Sequence, residues 1–157
     1  MKLIDLLTPE FIKVPLQGRN KIEVIKELID VIAEQGLVDE KEKALQAVLD
    51  REKIMTTGVG HGVAIPHCKY KCPRFAIALG VHPEGVDFES LDQKPAHIIF
   101  LLIGPEDDPG THVRLLSRIS RIIMKEEVRS RILQSSSPQE IYEILKAEES
   151  QYFELSA

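Results

Sequence analysis

The sequence predicts an α/β fold, a single layered domain with helices on both faces of its sheet. Three observations lead there. The 157 residues suit one domain. Phe75 to Val81 and His97 to Ile103 are apolar runs of strand length, bounded by Pro, Gly and acidic residues, and a continuous apolar run of that length reads as a strand buried on both sides. Before and after these runs lie long segments with helical periodicity.

The first helix follows Asn20, with Val24, Ile25, Leu28, Ile29 and Ile32 on one stripe and Gly36 just past its end; Asn20 and Glu23 have capping-box spacing. A second helix is expected from Asp39, with Glu42 three residues on, carrying Ala44, Leu45, Val48 and Leu49 inward and ending near Lys53. The passage from Thr56 to Gly62 holds three glycines and reads as a loop feeding a short Val63-Ala64-Ile65 strand. Phe11 to Leu16 is a weaker strand candidate. After the acidic loop Pro105 to Gly110 comes a helix with Leu115, Leu116, Ile119, Ile122 and Ile123 on one face. Lys125 to Leu133 suits a fourth helix. Ser137, Pro138 and Glu140 supply the cap, the first-turn proline and the box partner of a last one. A domain over 1–150 is expected, with a frayed tail at 151–157.

The net charge of −5 disfavours general attraction to nucleic acid or anionic membrane, so any anion site must be local. Cys68 and Cys72 would close only a trivial loop and read as thiols. Asp5 and Glu10 interrupt the N-terminal apolar residues, and no run approaches the roughly 20 residues of a membrane helix; a cytoplasmic location is the expectation.

Three side chains stand out. His67 follows Pro66 and the loop of Gly58, Gly60 and Gly62, which lets an anion or another backbone come close. A neutral imidazole with one nitrogen donating to a carbonyl keeps a nucleophilic lone pair on the other; the plainer reading is a turn histidine. His112 precedes Leu115, Leu116 and Ile119 by three, four and seven residues, so it lies on the buried side of its helix and in the first turn, where an anion is favoured. It is otherwise a core histidine bonded to a carbonyl. Arg51 follows Val48 by three residues and Ala44 by seven, at the edge of the apolar face, while Glu52 points elsewhere; its fork of donors suits a phosphate, or the last carbonyls of its own helix. Together the three suggest transient handling of a phosphoryl group by positioning and charge stabilisation.

Glu52, six residues, then Val59-Gly60-His61-Gly62-Val63-Ala64-Ile65-Pro66-His67-Cys68 resembles the active-site signature of type 2 IIA domains of the bacterial phosphoenolpyruvate-dependent phosphotransferase system, the fructose, mannitol and nitrogen-regulatory class. The run from His112 to Ile123 resembles that family's helix with a second active-site histidine. The resemblance implies a mixed sheet of about five strands flanked by helices. It also implies a phosphotransferase in which His67 accepts a phosphoryl group from HPr, or its nitrogen-branch counterpart, and passes it to a IIB component. His112 would then support the ring and Arg51 the phosphoryl oxygens, with Thr57 and Gly60 as loop residues of the site. No cofactor is implied, and the membrane is met only indirectly, through the permease.

Two other readings are distinguishable. One is a zinc or iron site built from His61, His67, Cys68, Cys72 and His112, although Cys-x3-Cys without a second pair is poor spacing. The other is a nitrogen-regulatory protein whose phosphorylation state decides which regulatory partner it holds, with Arg114, Arg118 and Arg121 as an exposed row for an acidic partner. His82 and His97 read as structural, and His61 as lining the entrance.

Overall fold

The computed structural model describes residues 2–154, with side chains through Tyr152. In chain order it contains α1 (Leu3–Leu6), a 3-10 turn (Pro9–Phe11), β1 (Ile12–Lys13), α2 (Lys21–Glu34), α3 (Lys41–Ile54), β2 (Gly58–Gly60), β3 (Val63–Ala64) and β4 (His67–Lys69). Then follow β5 (Ala76–Val86), β6 (Ala96–Gly104), α4 (Pro109–Ile123), α5 (Glu126–Gln134), α6 (Pro138–Glu149) and a π-helical turn (Ser150–Glu154).

β5 and β6 are the long antiparallel pair at the centre, in register from Ala76–Ile103 to Val81–Ile98. β1 runs parallel to β5; β3 and β4 both run parallel to β6, and β2 lies antiparallel to β3. The sheet is mixed, as expected, but has six strands among the described residues in place of about five. The strands beyond the four runs read from the sequence are β2 and β4, three residues each, from a passage whose glycines hide any strand pattern. Successive residues Ile98 to Ile103 are all buried, so both faces of β6 are covered. α2 and α3 pack on each other, and α1, α4, α5 and α6 pack together.

The expected helices all form, with corrections at their ends. Asn20 caps α2, its Oδ1 accepting from Glu23 N at 2.9 Å, while the Glu23 carboxylate reaches back to Arg19 N at 3.3 Å, one residue beyond the usual box. α3 starts at Lys41, and its N-cap is Glu40 with no side-chain bond, so the Asp39 cap is not made. Asp108 caps α4 and Ser137 caps α6. Of the weak strand at 11–16 only Ile12 and Lys13 are strand, since Pro15 has no N–H to offer the ladder. Glu148 and Glu149 at the end of α6 are buried, residues 150–154 continue as the π-helical turn, and Lys125 bonds Glu148 at 3.2 Å and lies 4.7 Å over the Tyr152 ring. The rest of the expected tail, 155–157, lies outside the described residues.

The Glu149 carboxylate joins the end of α6 to the start of α1. It accepts from Leu3 N at 2.6 Å and Ile4 N at 3.1 Å, capping α1, and from Arg118 Nη1 at 3.2 Å.

Candidate active site

His67 owes its setting to a break in one strand. Val63 and Ala64 pair with Ile98 and Ile99 of β6, and His67 to Lys69 resume the same pairing at Leu102 to Gly104. Between them, Pro66 has no N–H, though its carbonyl accepts from Leu102 N at 3.0 Å. Ile65 turns away from β6 and donates its N–H to Thr57 O at 3.0 Å. The Ile65 carbonyl lies 2.8 Å from Nδ1 of the half-buried His67. A carbonyl only accepts, so Nδ1 carries the proton and Nε2 keeps its lone pair.

Arg51 and Glu52 are arranged differently from the helical-wheel expectation. Arg51 is half-buried, and its Nη1 donates to Met55 O at 3.0 Å, the carbonyl just past its own helix. Glu52, expected to point elsewhere, is the buried one, 7% exposed. Its carboxylate accepts from Thr57 Oγ1, from Thr57 N at 3.2 Å, and from Lys21 Nζ at 2.6 Å. Burial of this charge is offset by a cation from the first residue of α2 and two donors from the loop. Thr57 is therefore a buried bracket between α3 and the strand break. The pattern of apolar residues carries no sign of Lys21, whose partner lies 31 positions away; the position of Glu52 at the head of the recognised run was the available signal.

His112 lies in the first turn of α4, buried at 5% exposure. Its ring meets Phe75 edge to face, centroids 4.9 Å apart at 73°. Nε2 has no hydrogen-bond partner among the described residues. Such a buried orphan is uncommon. Gly104 lets these two rings pack against the strand, because a methyl there would overlap the Phe75 ring and stand 2.9 Å from His112 Nε2.

Burial pushes the His67 pKa below its ordinary value; the Ile65 carbonyl pulls it up, the charges of Arg51 and His112 lower it, and that of Glu52 raises it. The fold thus brings His67, Arg51, His112 and Glu52 into one electrostatic neighbourhood. Burial likewise lowers His112, against the pull of the Gly104 and Pro105 backbone. A neutral imidazole with a defined tautomer is the nucleophilic form.

The loop from 58 to 62 is a tight hairpin tip in which Gly60, His61 and Gly62 all have positive φ, at 93°, 58° and 78°. His61 N donates to Asp92 at 3.1 Å and its side chain is exposed, while Gly60 faces the Asp92 carboxylate. Asp92 thus holds the tip of this hairpin, a contact that sequence reasoning missed.

The remaining candidates separate from the site. Among the described residues no three His, Cys, Asp or Glu side chains gather as a metal-holding group, so the five candidate ligands of a zinc or iron site do not assemble. Both cysteines are free thiols, and burial pushes Cys68 up to about 12. His82 Nε2–H donates to Gly18 O at 2.8 Å while its Nδ1 accepts from Gly85 N at 3.0 Å; His97 bonds His82 O at 3.0 Å, so both are structural. The arginine row is not uniformly solvated: Arg121 is exposed and Arg114 bonds Thr111, but Arg118 is held by the buried Glu149.

Comparison with known proteins agrees with this geometry. Residues 5–148 match the family described as phosphoenolpyruvate-dependent sugar phosphotransferase system, EIIA 2. The fructose-specific EIIABC component of Bacillus subtilis strain 168 is 38% identical over 146 residues, covering 92% of this chain and 23% of its own length; the chain spans under a quarter of that relative. The fructose-specific EIIA component of Haloferax volcanii is 36% identical over 144 residues, covering 90% of this chain and 94% of its own. Among solved structures, the nitrogen regulatory protein IIA-Ntr from Neisseria meningitidis superposes with a TM-score of 0.85 at 27% identity, covering 91% of this chain and 98% of that one.

Proposed function

The chain belongs to the phosphoenolpyruvate-dependent sugar phosphotransferase system EIIA 2 family, and from that premise we propose that it is a phosphohistidine carrier. His67 accepts a phosphoryl group from phospho-HPr, or from its nitrogen-branch counterpart, and passes it to a IIB component for sugar uptake. The work is done in the cytoplasm, with the membrane met only through the permease. The observation that carries the reading is the 2.8 Å bond between His67 Nδ1 and Ile65 O, which leaves Nε2 as the one ring atom able to attack.

The transfer follows from that atom. The Nε2 lone pair forms the new N–P bond as the bond from phosphorus to the donor histidine breaks, its electron pair returning to the donor nitrogen. Positive charge growing on the His67 ring is stabilised by Nδ1–H donating to the Ile65 carbonyl. Arg51 uses Nη1 on Met55 O, and the other donors of its fork are the groups for the phosphoryl oxygens. His112 is the supporting histidine, acting on the His67 ring through its charge. Thr57 and Gly60 shape the loop and do not touch the phosphate. Donation to IIB is the same displacement run outward.

Incubation with phosphoenolpyruvate, enzyme I and HPr should place one acid-labile phosphate on the protein, and His67→Ala should abolish it. Full labelling of His67→Ala would overturn the site. The likeness to the nitrogen regulatory protein from Neisseria meningitidis favours a second reading, in which the same phosphorylation controls binding to regulatory partners. Reconstituted sugar phosphorylation with IIB and IIC components separates the two, since only the transport reading supports turnover.

A further inference from the structure

Glu52 is a buried carboxylate beside the nucleophile that the transfer itself does not use. An ionised carboxylate 7% exposed is strongly unfavourable unless its lone pairs are met, and here the partners are specific. Lys21 Nζ lies at 2.6 Å and is itself fixed, donating to Phe88 O at 3.4 Å and resting 5.4 Å over the Phe88 ring. The other donors are the N–H and hydroxyl of Thr57. Thr57 then has its carbonyl committed as well, to Ile65 N at 3.0 Å. Ile65 is in consequence held at its N–H by Thr57, and its carbonyl, in the next peptide unit, meets His67 Nδ1.

We propose that Lys21 and Glu52 form a positioning pair that selects the tautomer of His67: through Thr57 and Ile65 they keep Nδ1 protonated and Nε2 bare. The role rests on the reading of His67 as phosphoryl acceptor. Neither residue touches the phosphate. Without the carboxylate the two Thr57 donors lose their anchor, Ile65 N–H loses a fixed acceptor, and the backbone angles of Ile65 relax until its carbonyl no longer faces Nδ1. An unconstrained imidazole prefers the proton on Nε2, and that form presents no lone pair to phosphorus. The negative charge of Glu52 also raises the proton affinity of His67 against the effect of burial, so a charge-neutral replacement shifts its titration downward.

Long-range proton–nitrogen NMR of the histidine rings, at about pH 8 where imidazoles are neutral, reads the tautomer directly, and phosphoryl acceptance from phospho-HPr reads the consequence. Glu52→Gln should move His67 toward the Nε2–H form, lower its titration midpoint, and slow acceptance roughly tenfold to a hundredfold through kcat, with KM for HPr nearly unchanged. Lys21→Gln keeps the carboxylate and its Thr57 donors, and should move the tautomer and the acceptance rate in the same direction by less, while the titration midpoint rises because a cation has been removed; it decides the matter if Glu52→Gln fails to fold. An Nδ1–H ring and wild-type acceptance in either folded variant overturns the proposal. Wild-type protein that takes up no phosphate overturns the reading of His67 instead, while the NMR comparison still decides what the pair does to the ring.

Discussion

Replacing Gly104 by Ala probes stability and the site with one methyl group. Gly104 ends β6, pairs with Lys69 of β4, and accepts from Tyr70 N at 2.8 Å, so its backbone has little freedom to retreat. Two effects favour the variant: a strand glycine replaced by alanine gains about 0.5–1 kcal/mol of chain entropy, and a buried methyl contributes about 0.8 kcal/mol. Against them stands overpacking of about 1–3 kcal/mol. The upper end applies, because the methyl overlaps a Phe75 ring packed in the core and also crowds His112 Nε2 at 2.9 Å. The balance is a loss of about 1–2 kcal/mol. Relief requires Phe75 to tilt, and its edge-to-face contact passes that movement to His112. Urea unfolding should therefore show the stability loss, and phosphoryl acceptance by the folded variant should fall roughly tenfold or more. A variant as stable as wild type with unchanged acceptance would refute the reasoning, since the ring would then have room and His112 would not depend on its position.

Two other outcomes follow from the geometry. His67 and His112 both have folded pKa values below the unfolded value of about 6.5, so the unfolded chain takes up protons first: their contribution to stability is complete above that pH and is lost as pH falls through the folded values. The difference in urea stability between wild type and His67→Gln should shrink or reverse sign on acidification from about pH 7, and a flat difference would be inconsistent with the lowered pKa. Glu149→Ala leaves the Leu3 and Ile4 N–H groups and Arg118 without their carboxylate. Breaking a buried pair costs about 3–5 kcal/mol, and the lower end is expected because Arg118 keeps access to water; an unchanged urea midpoint would show that the contact is not stabilising.

What the sequence made legible was whatever is written locally. The stripe from Val24 to Ile32 needs only a helix of ordinary pitch and the Asn20 cap, and both are there. His112 is likewise placed correctly by its spacing to Leu115 and Ile119, because a periodic face reports its own burial. The errors occur where a distant partner decides. Glu52 goes inward because Lys21 and Thr57 receive its charge, which inverts the expected order of Arg51 and Glu52 on α3. Arg118 leaves the solvated row because Glu149 is inside, and β4 exists because β6 offers it a parallel edge. The resemblance singled out His67, His112 and Arg51; the proton on Nδ1 needed the coordinates of the Ile65 carbonyl.

The bond from Glu149 to the first turn of α1 has a consequence for protein architecture. Because the beginning and the end of the fold meet at one carboxylate, the domain is topologically close to a ring. Segments spliced before and after it would leave side by side, so a longer polypeptide could carry the unit as an inserted loop without pulling its ends apart. A circular permutant that links the end of α6 to the start of α1 and opens an exposed turn elsewhere would keep the same sheet and the same histidine.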